Sequence, residues 1–366
     1  MSVPAVSVLV HGGPGSIETV RIRGLIQRHP SEKVQLLFRE GGSRRTALNW
    51  RRAVESFRPD LLYILNTASP GALLGPLWSV SKSLPYILDT GDAVFEMARS
   101  SGVGAGWKLP LLWVFERLLH RNASAIVVRG TKHRQLLEAQ GRQRVVVIRD
   151  GFAENQDVSP DAVVVLRQQL GLQDRFVVGV MGSTVRSPRL GICYGWDLLE
   201  ALVSLKDLPI SGLIIGDGSG LNWLRQRAIE LNIADRVTFT GRIPYLDVPR
   251  YLRLMDIALS TQTNNLPGQV RTTGKVPEYM AAGRFVIASR VGEAELLLPE
   301  PMLVDYQGEV DSGYPFRLSQ RIREVYNSEQ LRSLGSSLPE RAEKLCSYGV
   351  LSQHWSQLVA ECNPSS

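Results

Sequence analysis

Short β-branched apolar runs alternate with helical stretches along nearly the whole 366-residue chain, and they do so in two successive series. In the first half the strand candidates are Val6 to Val10, Val34 to Phe38, Leu61 to Leu65, Tyr86 to Leu88, Ala125 to Val128 and Val145 to Ile148. Helical periodicity lies between them at Ile17 to Arg28, Leu48 to Phe57 and His133 to Gln140. The second half repeats the scheme, with strands at Phe176 to Met181, Leu213 to Ile215, Val237 to Thr240, Ile257 to Ser260 and Phe285 to Ala288. Its helices fall at Asp197 to Leu205, Leu221 to Leu231 and Pro249 to Leu254. Uniformly apolar runs joined by helices predict a parallel sheet covered on both faces, because only burial on both sides removes the need for alternation. The polar, Pro-containing stretch Gly151 to Pro160 reads as a linker, so two doubly wound α/β domains are expected, over 1–155 and 156–340. Leu338 to Cys362 is helical with no strand to follow it.

Composition narrows the class. Apolar residues at 44% and charged residues at 21% are ordinary for a globular protein with two full cores. Cys193, Cys346 and Cys362 are odd in number and widely spaced, which suits a reducing, cytoplasmic compartment better than a disulfide framework or a zinc site. The start, Met-Ser-Val-Pro-Ala, lacks a signal peptide's basic and apolar regions. No stretch has the roughly 18 to 20 apolar residues that a membrane span needs. The longest candidate, Val103 to Leu119, is interrupted by Lys108, Pro110, Glu116 and Arg117 and reads as an amphipathic helix. Residues 1–172 carry 22 Lys and Arg against 14 Asp and Glu, whereas residues 173–366 carry 20 against 21. The basic excess thus belongs to the first domain, where it suits an anionic acceptor or an anionic membrane surface as well as a plain solvated face. No interleaved aromatic and basic pattern points to nucleic acid.

The most telling local stretch is Lys275-Val-Pro-Glu-Tyr-Met-Ala-Ala-Gly-Arg-Phe-Val-Ile-Ala-Ser289. Pro277 is expected to open a helix, Gly283 to stop it, and Phe285 to Ala288 to follow as a buried strand. Glu278 then stands near a helix start, where the peptide dipoles favour negative charge. By itself it reads as a capping carboxylate. In this context, however, the run closely resembles the nucleotide-sugar signature of retaining glycosyltransferase family 4, whose glutamate holds the donor's ribose.

That resemblance implies the GT-B fold: two Rossmann-like domains facing a cleft, the first on the acceptor side and the second binding the nucleotide sugar. It also implies a C-terminal helix, here about 341–366, that crosses back to the first domain. Ligands in such folds bind at the carboxyl ends of the strands. There the sequence offers the loop His11-Gly12-Gly13-Pro14-Gly15-Ser16, which the resemblance places beside the transferred sugar and the acceptor. Gly182-Ser183-Thr184-Val185-Arg186-Ser187-Pro188-Arg189 resembles the loop that cradles the donor diphosphate. Gly216 and Gly218, in Ile-Gly-Asp-Gly-Ser-Gly, are expected to let the chain pass close to the nucleotide, with Arg242 and Ile243 facing the base.

The chain departs from the family pattern in three places. The usual Lys-Gly pair after the diphosphate loop is Tyr194-Gly195, so Arg186 or Arg189 is expected to supply the charge. The first of two glutamates eight positions apart is Val270. Lys275, three residues before Glu278, fits a subset of the family and is expected to offset leaving-group charge. In Leu88-Asp-Thr-Gly-Asp92 the histidine of many relatives is Gly91, which leaves Asp92 as the candidate for sugar or acceptor contact, or as a helix cap. His11 and His133 read as structural or surface residues.

The resemblance therefore implies a retaining transferase with Lys275, Glu278 and Asp92 as catalytic candidates. Its donor is a nucleoside diphosphate sugar, its acceptor a glycan or lipid-linked hydroxyl, and no metal or other cofactor is expected. The missing residues also leave open a binding or scaffold protein of the same fold, and fold analogy leaves open a sugar-nucleotide epimerase.

Overall fold

The structure, a computed structural model, describes residues 3–66, 71–101, 108–153 and 158–363. Residues 103–107 of the amphipathic candidate and 154–157 of the linker lie outside the described residues. The first domain holds strands β1 (Val6–Val10), β2 (Val34–Phe38), β3 (Leu61–Leu65), β4 (Tyr86–Thr90), β5 (Ala125–Val128) and β6 (Val145–Val147). The second holds β7 (Phe176–Met181), β8 (Ile210–Ile215), β9 (Val237–Gly241), β10 (Ile257–Ser260), β11 (Phe285–Ser289) and β12 (Leu303–Val304). Their orders are β2-β1-β3-β4-β5-β6 and β12-β11-β10-β7-β8-β9, and every pairing is parallel. Each sheet reverses its order once, between β1 and β3 and between β7 and β10. A crevice opens outside the carboxyl ends of the strands at such a reversal. The two Gly-rich loops, 11–16 after β1 and 182–189 after β7, emerge at these points.

β1, β3, β4 and β8 are buried along their whole length, as continuous apolar runs between two helical layers must be. In the first domain Trp50, Val54, Trp78 and Leu119 cover one face of the sheet. Ile22, Leu25 and the C-terminal segment cover the other. The tail predicted as one helix is two, Leu338–Cys346 and Tyr348–Glu361. Ser347 breaks it with extended backbone and caps the second helix by accepting a hydrogen bond from Val350 N. Leu338, Ala342 and Cys346 remain in the second-domain core. Tyr348, Leu351, Trp355, Leu358 and Val359 cross over and pack with Val8, Val10, Ile22, Leu25 and Tyr63 of the first. A Cβ on Gly24 would lie 2.3 Å from Tyr348 Cγ, so the absence of a side chain there sets how closely the crossing helix approaches.

Candidate active site

The donor-side loops are zipped together by their own backbones. Gly182 N donates to Ile215 O (2.9 Å), Thr184 N to Asp217 O (3.1 Å) and Gly220 N to Thr184 O (2.9 Å). A Cβ on Gly216, whose φ is +136°, would stand 1.8 Å from the Gly182 carbonyl oxygen, and one on Gly218 would stand 2.6 Å from Val185 N. These two glycines have a packing reason within the donor-side loops themselves. They are small because the 182–185 loop occupies the space, and that loop in turn faces the cleft. Ser183 is exposed on it. Arg186 folds back, donating from Nε to Gly191 O (2.9 Å) with its guanidinium 4.9 Å from the Trp223 ring centroid. Arg189 reaches across the cleft to the Ser100 carbonyl and pairs with Glu309. Arg242 is exposed and Ile243 half-buried after β9.

The cation at the Gly182 turn is Lys275. Its helix, Lys275–Ala281, starts two residues earlier than expected, with Pro277 still in the first turn. Gly283, at φ +65°, follows its end. Tyr279 accepts a hydrogen bond from Met181 N at 2.9 Å, which fixes the helix against the end of β7. Lys275 and Glu278, three residues apart, share one face. Glu278 is 8% exposed. Burial raises its pKa to about 7, with Asp150 adding to the rise while Tyr245 and Lys275 oppose it. The Tyr245 hydroxyl is near enough to act on Glu278 but has no hydrogen-bond partner in good geometry. Burial lowers Lys275 to about 7, Arg271 pushes the same way, and Glu278 opposes. A carboxyl and an ammonium, both poised near neutrality, face one cleft.

The opposite wall comes from the first domain. Gly13 O accepts from Ser16 N (3.0 Å) and Thr19 Oγ1 (2.8 Å), so the 11–16 loop closes as the cap of helix Ile17–Ile26. Gly12 packs against Ser16, while Gly13 and Gly15 face open space. Beneath them lies a charge network that the sequence did not disclose. Fully buried Asp89 accepts from Arg21 Nε (3.0 Å) and Tyr63 Oη (2.7 Å). Arg21 also reaches Asp150 (3.3 Å) and the carbonyls of Ile148 and Arg149. Such charges persist in a core only when paired and hydrogen-bonded in this way. Arg129 pairs with Asp150 at 3.5 Å and Asp89 at 3.8 Å. A Cβ on Gly91 would lie 2.6 Å from the Arg129 guanidinium. The space that a side chain at 91 would take is thus filled by Arg129.

Asp92 is half-buried and pairs with Arg271 of the second domain at 3.4 Å. Glu293 makes a second inter-domain tie, accepting from Thr131 N (2.7 Å) and pairing with Arg149 (2.7 Å). Arg129, Asp150, Thr272, Thr273, Pro277 and Glu293 line a small crevice between the domains. The site thus brings together Gly182, Lys275, Glu278, Asp92, Arg129 and Asp150, and leaves Arg186 and Arg189 occupied elsewhere. The sequence held one signal for Arg129 and Asp150: Arg129 directly follows the apolar run Ala125 to Val128, and Asp150 follows the run Val145 to Ile148 after one residue, both at carboxyl ends where ligands bind. His120 and His133 are buried, and burial lowers them to about 3 and about 4, so both are neutral at physiological pH. Among the described residues no group of three or more His, Cys, Asp or Glu is placed to hold a metal ion.

Two doubly wound domains that close a Gly-lined, Lys- and Glu-bearing cleft, with the last helix returning to the first domain, define the GT-B architecture of glycosyltransferases. Family comparison agrees: residues 6–151 match the glycosyl transferase 4-like domain and residues 175–311 match glycosyl transferases group 1. The chain belongs to this glycosyltransferase family, whose two domain models between them span most of it. It is 31% identical over 259 residues to a GDP-mannose-dependent α-(1-6)-phosphatidylinositol monomannoside mannosyltransferase of Mycolicibacterium smegmatis, covering 67% of this chain and 62% of that protein. It is 27% identical over 243 residues to a 2-deoxystreptamine glucosyltransferase of Streptomyces kanamyceticus, covering 64% and 60%. The chain thus spans about six tenths of the length of these relatives. The crystal structure of Anabaena HepE in complex with UDP-glucose superposes with a TM-score of 0.79 at 19% identity, covering 98% of this chain and 100% of that one.

Proposed function

We propose that this protein is a retaining glycosyltransferase that moves a sugar from a nucleoside diphosphate sugar to an acceptor hydroxyl. The observation that carries the reading is the Lys275–Glu278 pair, held on one helix face against the Gly182 turn and opposite the Asp89–Arg129–Asp150 wall. Glu278 accepts hydrogen bonds from donor hydroxyls, and the diphosphate lies over the backbone of the 182–185 loop. In a front-face substitution the bond from the anomeric carbon to the diphosphate oxygen breaks as the acceptor oxygen bonds the same face. The departing diphosphate takes the acceptor's proton, and Lys275 meets its growing charge. This assignment places the leaving-group charge on side chains and calls for no bound metal. Residues 156–340 serve as the nucleotide side, 1–155 as the acceptor side, and 341–366 as the tail that ties them.

A lipid-linked or glycan acceptor at the cytoplasmic face of a membrane fits the first domain. Leu73, Leu77 and Val80 on helix Gly71–Lys82 are exposed, as are Leu111, Val114, Phe115 and Leu118 on the adjoining helix Leu109–Asn122. Arg117, Arg121, Arg142 and Arg144 line a cleft beside the second of these helices. An apolar face with a basic border suits an anionic bilayer surface. Both relatives named above are transferases, and the name of the first carries a phosphatidylinositol acceptor and a GDP-mannose donor.

The test is turnover of UDP-, GDP-, ADP- and dTDP-sugars with and without lipid or glycan acceptors, for the wild type and Glu278→Ala. Acceptor-dependent donor consumption that Glu278→Ala abolishes, with retained anomeric configuration, is expected. Nucleotide binding without any consumption would favour a scaffold, and conversion without an acceptor would favour an epimerase. No binding to phosphatidylglycerol vesicles at low salt would remove the membrane from this reading.

A further inference from the structure

Position 194, where the family pattern supplies a lysine, holds a tyrosine, yet a lysine ammonium stands at that place. Lys275 Nζ lies 3.6 Å from the centroid of the Tyr194 ring. A Cβ built on Gly182 would lie 2.6 Å from Lys275 Nζ and 3.2 Å from Tyr194 Cε1, so the turn, the ring and the ammonium form one compact group. The ring cannot swing away freely. Tyr194 Oη donates to Leu259 O in β10 at 2.9 Å, and the chain on its other side is set by Gly195, whose φ of +101° starts helix Trp196–Val203. Among the described residues the Lys275 ammonium makes no ion pair.

We propose that Tyr194 is the positioning residue for Lys275. Its ring holds the ammonium against the Gly182 turn, so that the cation which meets the donor's diphosphate comes from helix Lys275–Ala281 instead of from position 194. The inference rests on the donor-site reading above and assigns how that site is built. An aromatic ring suits this task better than a carboxylate. The ring quadrupole attracts the cation without cancelling its charge, so a phosphate meets an ammonium that has not already been neutralised. The same contact explains why residue 182 is a glycine: any side chain would displace Nζ from the ring. It also accounts for the missing Lys-Gly pair without requiring the site to have lost its cation.

The test measures nucleoside diphosphates against the matching monophosphates (UDP and UMP, GDP and GMP, ADP and AMP) by titration calorimetry. Wild type is expected to prefer the diphosphate by about tenfold or more, the weight of a charge-assisted phosphate contact. Tyr194→Leu should bind the diphosphate about 3- to 30-fold more weakly, the span of a partly buried cation–π contact, with little change for the monophosphate. Lys275→Met should do the same. Tyr194→Phe keeps the ring and should keep the preference. The double variant Tyr194→Lys with Lys275→Met, which puts the cation back at position 194, should restore it, and this guards against a folding defect in Tyr194→Leu. An unchanged diphosphate preference in folded Tyr194→Leu overturns this inference and leaves the donor-site reading standing. Failure of the wild type to bind any of the nucleotides overturns both.

Discussion

Glu278→Gln should make the nucleotide-free protein more stable in alkaline buffer while destroying its donor site. A carboxyl moved by burial from its ordinary 4.5 to about 7 binds its proton more tightly folded than unfolded. Its contribution to stability is therefore fully present below pH 4.5 and is lost as the pH rises through about 7. At 1.36 kcal/mol per pH unit, the ionised group costs the folded state about 3 kcal/mol above neutrality. Glutamine keeps the shape and drops the charge, but it also removes the attraction that Glu278 exerts on Lys275, so the net gain is about 1–2 kcal/mol. For domains of this size that is about 3–6 °C in Tm. The assay is thermal unfolding of both proteins without nucleotide from pH 5 to 8.5. The curves should coincide near pH 5 and separate above pH 7, with the glutamine variant the higher. Parallel curves, or a glutamine variant that melts lower at pH 8, would refute the claim that burial of this carboxylate is what the fold pays for at the site.

Gly216→Ala places a Cβ 1.8 Å from the Gly182 carbonyl oxygen and should cost about 2 kcal/mol or more, whereas Gly15→Ala, with open space around it, should stay within about 0.5 kcal/mol; denaturant unfolding separates them. Gly91→Ala should push the Arg129 guanidinium from its seat and lower kcat about tenfold with little change in Tm, because the displaced atoms end a flexible side chain; turnover read beside melting checks both halves. Trp355→Ala, at a fully buried crossing position, should destabilise by about 3–5 kcal/mol, and hydrogen exchange should show the loss in the first-domain strands that it covers.

Much of this protein is local in origin. The runs that became β1 to β7 and β9 to β11 were legible because each is a short, β-branched or apolar stretch set between helical segments, a pattern that needs no knowledge of its partners. β12, only two residues long, was not, and the amino-terminal half of β8 was hidden because Ile210-Ser211-Gly212 reads as a turn. Gly212 is a glycine in a strand because a Cβ there would press on Leu202 at 2.9 Å. Pro76, inside helix Gly71–Lys82, masked that helix in the same way. Gly182, Lys275, Glu278 and Asp92 were nameable because each follows a strand or opens a helix within one short motif. What only the tertiary structure decided are the relations between motifs. Gly216 is small because of Gly182, Arg129 fills the space over Gly91, Arg21 joins Asp89 to Asp150, and Lys275 lies on Tyr194. Each of these joins residues from separate elements, and a sequence records what each residue is but not which distant side chain will occupy the space beside it. Burial in the cleft then moved a glutamate and a lysine towards the same pH, which neither residue carries in its own chemistry.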